Sequence, residues 1–212
     1  MSTITDMFTA LKAPFPADRV SWRIGPTTND KSRGIALAYI DARDVMDRLD
    51  EVCGPAGWQN RYSHANGKTV CDIAIKCDGE WVWKADGAGD TDTEAEKGAL
   101  SDALKRAAVR WSIGRYLYDV ESPWVAIEQA GKSYKIKAEE FPRLRGILLT
   151  GMATSLIAEL RMQGSPKQLV SWGESPAIRR RIESLDEPNR ERVRNDFKAQ
   201  LQALRNAENL AA

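Results

Sequence analysis

Residues 90–118, DTDTEAEKGALSDALKRAAVRWSIGRYLY, constrain the fold more than any other stretch. Thr93 and Glu96 have the spacing of a capping box, in which the Thr oxygen accepts the amide three residues on and the Glu reaches back to the cap amide. Glu94 and Glu96 also suit the positive end of a helix dipole. The pattern predicts a helix from Glu94 to about Trp111. Ala95, Ala99, Leu100, Ala103, Leu104, Ala107, Ala108 and Trp111 recur at helical spacing and give it a broad apolar face, small enough to lie close to a neighbouring layer. Lys97, Lys105, Arg106 and Arg110 occupy the other face, with Arg115 just beyond the end, and Ser112 and Gly114 loosen the exit. By themselves those cations read as a solvated basic face on a core helix.

The layer that such a helix covers is written immediately before it. Trp58–Ser63 reads as a strand and Asn66-Gly67 as a hairpin turn. From Thr69 to Lys76 the chain alternates, with Cys71, Ile73, Ile75 and Cys77 on one side and Val70, Asp72, Ala74 and Lys76 on the other. Asp78-Gly79 marks a second turn, and Glu80–Ala85 a third strand with Trp81 and Trp83 on one side. Three strands with one apolar side need a cover. The expected class is therefore α+β: an antiparallel three-stranded meander packed on the long central helix, a βββα core.

Around this core the elements are shorter. Residues 4–12 form an amphipathic helix with Ile4, Met7, Phe8 and Leu11 on one side, stopped by Pro14 and Pro16. Val20–Ile24 reads as a strand, and Thr27–Arg33 as a polar loop carrying Lys31 and Arg33. Asp41 caps a helix over 42–52 that buries Val45, Leu49 and Val52 and ends at Gly54-Pro55. Glu121–Val125 closes the core. The expected organisation is a core over residues 1–128, a linker over 129–138, and a small all-helical C-terminal module over 139–212. In that module Pro142 interrupts a first helix, which resumes from Arg143 to Gln163; Gly164-Ser165-Pro166 breaks it, and further helices begin at Ser175-Pro176 and Asp186-Glu187-Pro188.

Composition excludes several classes. The chain is 42% hydrophobic and 29% charged with a net charge of +1, so any nucleic-acid site must be a local groove rather than a global basic field. No apolar run approaches the ~20 residues of a membrane-spanning helix, and MSTITDMFTALKAPFP lacks the basic start and apolar core of a signal peptide. Cys53, Cys71 and Cys77 have no CxxC spacing and read as the reduced thiols of a cytoplasmic protein. The lone His64 has no second ligand nearby in sequence. Gly87-Ala88-Gly89 lacks the third glycine of a dinucleotide fingerprint, and Asp90 and Asp92 would repel a pyrophosphate. No P-loop is present, so no ATP is needed, and no cofactor is expected. Asp86, Asp90, Asp92, Glu94 and Glu96 lack the spacing of a calcium loop and are mostly accounted for by helix capping; a Mg²⁺-dependent nuclease using this Asp86–Glu96 segment is the alternative function. Arg179, Arg180, Arg181, Arg190, Arg192 and Arg194 alternate with acids, as on an exposed mixed face or a second partner surface.

The order of residues in the central helix resembles the Rad52 family of single-strand annealing proteins, in which this helix has the form [ST]-D-[AG]-L-K-R-A followed by an aromatic residue and Gly. The matching residues are Ser101, Asp102, Ala103, Leu104, Lys105, Arg106, Ala107 and Trp111, with Ser112 where the family usually has Gly. Tyr39, Ile40, Val45, Gly54, Gly57 and Trp58 match the family's second helix and its Gly-x-x-Gly-Trp exit, and the Pro-Phe-Pro and Trp-Arg entry is similar to that of phage members. The resemblance covers roughly the first three fifths of the chain and itself implies the βββα unit. It also implies ATP-independent binding of single-stranded DNA in a basic groove, annealing of complementary strands in recombination and double-strand break repair, assembly into a ring or helical filament, and no catalysis. Lys105 and Arg106 would line the groove, with Arg110 beside them. Arg43 would join them, one position before the family's contacting arginine, where this chain has Asp44. Lys97, Arg115, Lys31 and Arg33 are further candidates. The C-terminal module would meet a single-strand-binding protein or an exonuclease, in the host cytoplasm if the chain is phage-encoded.

Overall fold

The computed structural model describes residues 4–89 and 95–211, with side chains at 4–89 and 98–210. The expected Thr93–Glu96 capping box, the acids from Asp90 to Glu96 and the Lys97 side chain lie outside these residues. In chain order the elements are α1 (Ile4–Leu11), β1 (Ser21–Thr27), β2 (Arg33–Tyr39), α2 (Ala42–Cys53), β3 (Trp58–Ala65), β4 (Lys68–Cys77), β5 (Glu80–Gly89), α3 (Ala95–Arg110), β6 (Trp124–Ala130), β7 (Ser133–Ile136), α4 (Phe141–Arg161), α5 (Pro166–Glu174), α6 (Pro176–Glu183) and α7 (Glu187–Ala211). Both sheets are antiparallel and the class is α+β. The chain divides into two compact units, one of residues 1–22 and 38–117, the other of residues 23–37 and 118–212.

The first unit contains the sheet β3-β4-β5. Asn66 and Gly67 both have positive φ, as do Asp78 and Gly79, which is the geometry that matches two-residue turns to the twist of a hairpin. Cys71, Ile73 and Ile75 are fully buried. β5 runs on to Gly89, so the Gly87-Ala88-Gly89 segment is strand, and Gly87 pairs with Val70. A side chain at Gly87 would meet Val70 and the Thr69 carbonyl at 3.2 and 3.3 Å, so close approach of strands accounts for that glycine.

A buried arginine ties α1 to α2. Arg48 Nη1 donates to the carbonyls of Ala10 (3.0 Å), Leu11 (3.4 Å) and Ala13 (2.6 Å), and its guanidinium lies 4.2 Å from the Phe15 ring centre. These carbonyls include orphans at the end of α1, where the helix dipole also favours a cation. Next to this pair, the Phe15 amide donates to the Tyr116 phenol oxygen (3.1 Å), and burial pushes the Tyr116 hydroxyl up to about 12.

In the second unit the described residues after 138 form only helices and the turns between them, and a sheet from residues outside the expected C-terminal module accompanies them. The strands of that sheet are ordered β1-β2-β6-β7, and Arg33, Gly34 and Ile35 pair with Ala126, Val125 and Trp124. The stretch expected as a linker, residues 129–138, holds the end of β6, a turn at Gly131 (φ +62°) and β7. Pro142 stands in the first turn of α4, where its missing N–H costs nothing, so it opens that helix instead of interrupting it. α5 follows the expected break because the Ser165 side chain accepts the Gln168 amide as an N-cap. Leu144, Leu148, Met152, Leu156 and Leu160 of α4, Leu169 of α5 and Val193 of α7 are buried, and the buried Arg181 forms a two-pronged pair with Glu159 at 2.9 Å.

Arg48→Leu keeps volume on the apolar side but strands the α1 carbonyls. Charged hydrogen bonds contribute about 1.5–3 kcal/mol each, and an unsatisfied buried acceptor costs a similar amount. The variant is expected to lose about 3 kcal/mol in urea unfolding; a loss under about 1 kcal/mol would show that α1 is not held this way.

Candidate nucleic-acid interface

Among the described side chains of α3, the buried ones begin at Ala103. Ala103, Leu104, Ala107 and Ala108 are buried and Trp111 is 1% exposed, whereas Leu100, expected on the apolar face, is 46% exposed. Among the described side chains of α3, burial therefore falls on the C-terminal half of the helix, which neighbours β4 and β5. Trp111 Nε1 donates to the Ile73 carbonyl (3.2 Å), satisfying the one polar atom of a buried indole. Its ring stacks with Phe8, centres 6.2 Å apart.

Helix α3 ends in a left-handed turn. Ser112 has φ +69°, and the Ile113 amide donates to Ala108 O (3.1 Å), the six-to-one bond of a Schellman exit. The position takes the conformation that glycine adopts most cheaply, and Ser112 adopts it at a cost. Gly114 follows at φ +68°, and a side chain there would meet Ile40 Cδ1 at 2.9 Å.

The cations around this helix fall into three groups. Lys105 Nζ pairs with Asp102 (2.7 Å), one turn earlier, and lies 5.7 Å from the Tyr39 ring centre. Arg106 pairs with Asp86 of β5, through Nε at 3.4 Å and Nη2 at 3.3 Å. Both cations stand at the edge of the buried stripe, in pairs worth about 0–1 kcal/mol, so their acid partners are readily exchanged for another anion. Arg110 and Arg43 form the second group: exposed, with no ion pair among the described residues. The third group completes the helix. Arg115 donates to Val109 O through Nε (3.0 Å) and Nη2 (2.7 Å) and to Arg110 O (3.3 Å), and Lys84 Nζ donates to Arg110 O (3.2 Å). These cations meet the negative end of the α3 dipole.

Lys84 was not marked by the sequence pattern. It lies on β5 opposite Ile73, and its ammonium sits 4.1 Å from the Trp111 ring centre. Burial first, then Arg115 and Arg110, push its pKa below the usual lysine value. Only the register of β5 against β4 brings it to the end of α3, so the signal was the alternation itself, with Lys84 two residues after Val82 on the inward side.

The remaining candidates lie elsewhere. Lys31 and Arg33 belong to the second unit, with Lys31 Nζ on Thr27 Oγ1 (2.9 Å) and Arg33 Nη2 on Trp124 O (3.1 Å). Asp44 is buried in a capping box and an ion pair with Arg19 (3.1 Å), and its neighbour Arg43 is exposed. Among the tryptophans Trp111 is core and Trp58 donates to Asp50 (2.6 Å), whereas Trp81 and Trp83 are each 38% exposed on the opposite side of the sheet from Lys84, with the Arg61 guanidinium 4.3 Å from Trp83.

The segment that holds this helix and sheet matches a known family. Residues 3–135 match the Rad52/22 family double-strand break repair protein. The chain belongs to this family. Two proteins named single-stranded DNA-binding protein DdrA are similar to it. That of Deinococcus deserti is 41% identical over 148 residues, covering 66% of this chain and 69% of the relative, and that of Deinococcus radiodurans is 37% identical over 134 residues, covering 62% and 64%. The Rad52/22 match takes in α1 to α3 and the strands up to β7, and α4 to α7 lie beyond it. No helix among the described residues is long and apolar enough to cross a membrane, and no cluster of His, Cys, Asp and Glu among them has the geometry of a metal site.

The strained exit of α3 is testable. Ser112→Gly removes the side chain from a left-handed position and is expected to stabilise the chain by about 0.5–1 kcal/mol in thermal unfolding, after the extra entropy of the unfolded glycine is deducted. A destabilisation would mean that the Ser112 side chain contributes to the exit.

Proposed function

We propose that this chain binds single-stranded DNA without ATP and anneals complementary strands in homologous recombination and double-strand break repair. The observation that carries the reading is the grouping of Lys105, Arg106 and Arg110 on α3, in the segment that matches the Rad52/22 family; the names of the Deinococcus relatives support it. The chain acts as a binder and not a catalyst. Its β3-β4-β5 meander with α3 is the βββα core, residues 1–128 carry the strand, and the helices after residue 138 meet a single-strand-binding protein or exonuclease.

Phosphates held by cations give affinity that does not depend on sequence. Lys105 and Arg106 exchange Asp102 and Asp86 for phosphate oxygens, Arg110 and Arg43 extend the track, and the bases point away from it to sample a second strand. One subunit has few such cations, so a long strand needs a ring or filament of copies to continue the groove. Lys84 and Arg115 hold the end of α3 and add positive potential without themselves reaching out.

The test is a double charge reversal. Lys105→Glu with Arg106→Glu is expected to lower affinity for an oligothymidylate by orders of magnitude, with a shallower salt dependence, since each lost phosphate contact removes roughly 0.7 from the slope for single strands. Neither side chain fills the core, so circular dichroism should be unchanged. Arg192→Glu with Arg194→Glu is the control, because it changes charge equally on α7, where these residues contact Thr154 and Glu187. Equal weakening by both pairs would reduce the effect to net charge. In the same mixture the wild type should speed duplex formation in chelator; cleavage of labelled DNA in Mg²⁺ would instead support a nuclease.

A further inference from the structure

We infer that the outward side of the β1-β2-β6-β7 sheet is a second contact for single-stranded DNA, with Trp124 as a base platform and Arg33 and Arg143 as phosphate ligands. The inference rests on the single-strand reading and concerns a surface outside α3.

Strand register sets the surface. Gly34, Ala36, Val125 and Ile127 are buried on one side of the paired β2 and β6, so the alternating residues Arg33, Ile35, Trp124 and Ala126 face the other way. Trp124 is 39% exposed there. Its carbonyl accepts from two guanidiniums at once, Arg33 Nη2 at 3.1 Å and Arg143 Nη1 at 3.2 Å. The two donor nitrogens are therefore within about 6 Å of each other, where like charges repel appreciably.

Carboxylates stand beside Arg143: Glu140, and Asp119 and Glu121, which line the same cavity as it. Glu140 reaches Arg143 at 3.4 Å, and its other oxygen accepts the Ala126 amide at 2.8 Å. Lys31 adds a third cation at the end of β1, through its bond to Thr27. The acid of that loop, Asp30, accepts from Thr28 and Ser32. A guanidinium has five N–H donors, and Arg33 uses one of them in the contact with Trp124 while remaining exposed. Two arginine forks with open donors, held about one exposed indole, match the alternation of phosphate and base along a single strand: phosphate oxygens relieve the repulsion, and the indole stacks on an unpaired base. A duplex offers the phosphates but keeps its bases stacked inside.

The test uses the full chain and a fluorescein-labelled oligothymidylate followed by anisotropy across a salt series. Arg33→Gln with Arg143→Gln should weaken binding at least tenfold and reduce the salt slope by about 1.4, the value for two single-strand phosphates. Trp124→Ala should weaken it at least fivefold with the slope unchanged, and Trp124→Phe, which keeps an aromatic face and guards against a folding defect, should restore most of the loss. Wild-type affinity and slope in the arginine variant, alongside lost binding in the Lys105/Arg106 reversal, would overturn this surface and leave the single-strand reading standing. Failure of the wild type to bind the oligonucleotide would remove both. An arginine variant that binds DNA normally but no longer self-associates in light scattering would assign the face to a second copy and overturn the inference.

Discussion

The seating of Trp111 governs the first unit. The indole is buried at the last turn of α3, where one side chain answers to three elements: its N–H is held by the carbonyl of Ile73 in β4, its face is covered by Phe8 of α1, and the ammonium of Lys84 from β5 rests on its ring. A helix lined by alanines can approach a sheet closely but slides easily, because methyl groups give few interlocking contacts. A directional hydrogen bond from a large ring removes that freedom. Once Trp111 is placed, Arg106 is brought opposite Asp86 and the end of α3 is brought to Lys84.

The same geometry separates cations that serve the fold from cations that are available. Arg48, Arg115 and Lys84 end on backbone carbonyls and finish the ends of α1 and α3. Lys105 and Arg106 end on carboxylates at the surface, and Arg110 and Arg43 are exposed. A basic residue in the sequence carries no label telling these roles apart. Arg43 and Arg48 sit five residues apart in one helix, yet one is exposed and the other buried beneath α1.

How much was legible follows from how local each determinant is. The turns at Asn66-Gly67 and Asp78-Gly79, the alternation of β4 and the caps of α2 are local, and they were readable. Lys105 and Arg106 stand at consecutive positions of one helical segment, so their placement together on α3 was local. β2 and β6 were not, since their pairing joins residues about ninety positions apart and neither segment alternates cleanly by itself. The exposure of Leu100 was also hidden: helical periodicity places it on the same stripe as Leu104, but only tertiary packing decides how far along the helix that stripe is covered. Lys84 needed the β4–β5 register, and the shared carbonyl of Trp124 needed both a sheet and α4.

That long-range pairing has a consequence for how the chain is made. Residues 23–37 leave the ribosome before their partner strand, which starts at Trp124, 91 residues further on when counted from Arg33. At translation rates of about 5–20 residues per second, the gap lasts roughly 5–18 s. For that interval the first unit can close around an excursion that has no sheet to join, and the β2 edge, with its row of unpaired amides and carbonyls, is open to any other extended chain. Ile35, Leu37 and Tyr39 make that edge apolar along most of its length, and Lys31 and Arg33 place charge only at its start, the feature that opposes pairing with neighbours on a polysome before its own partner arrives.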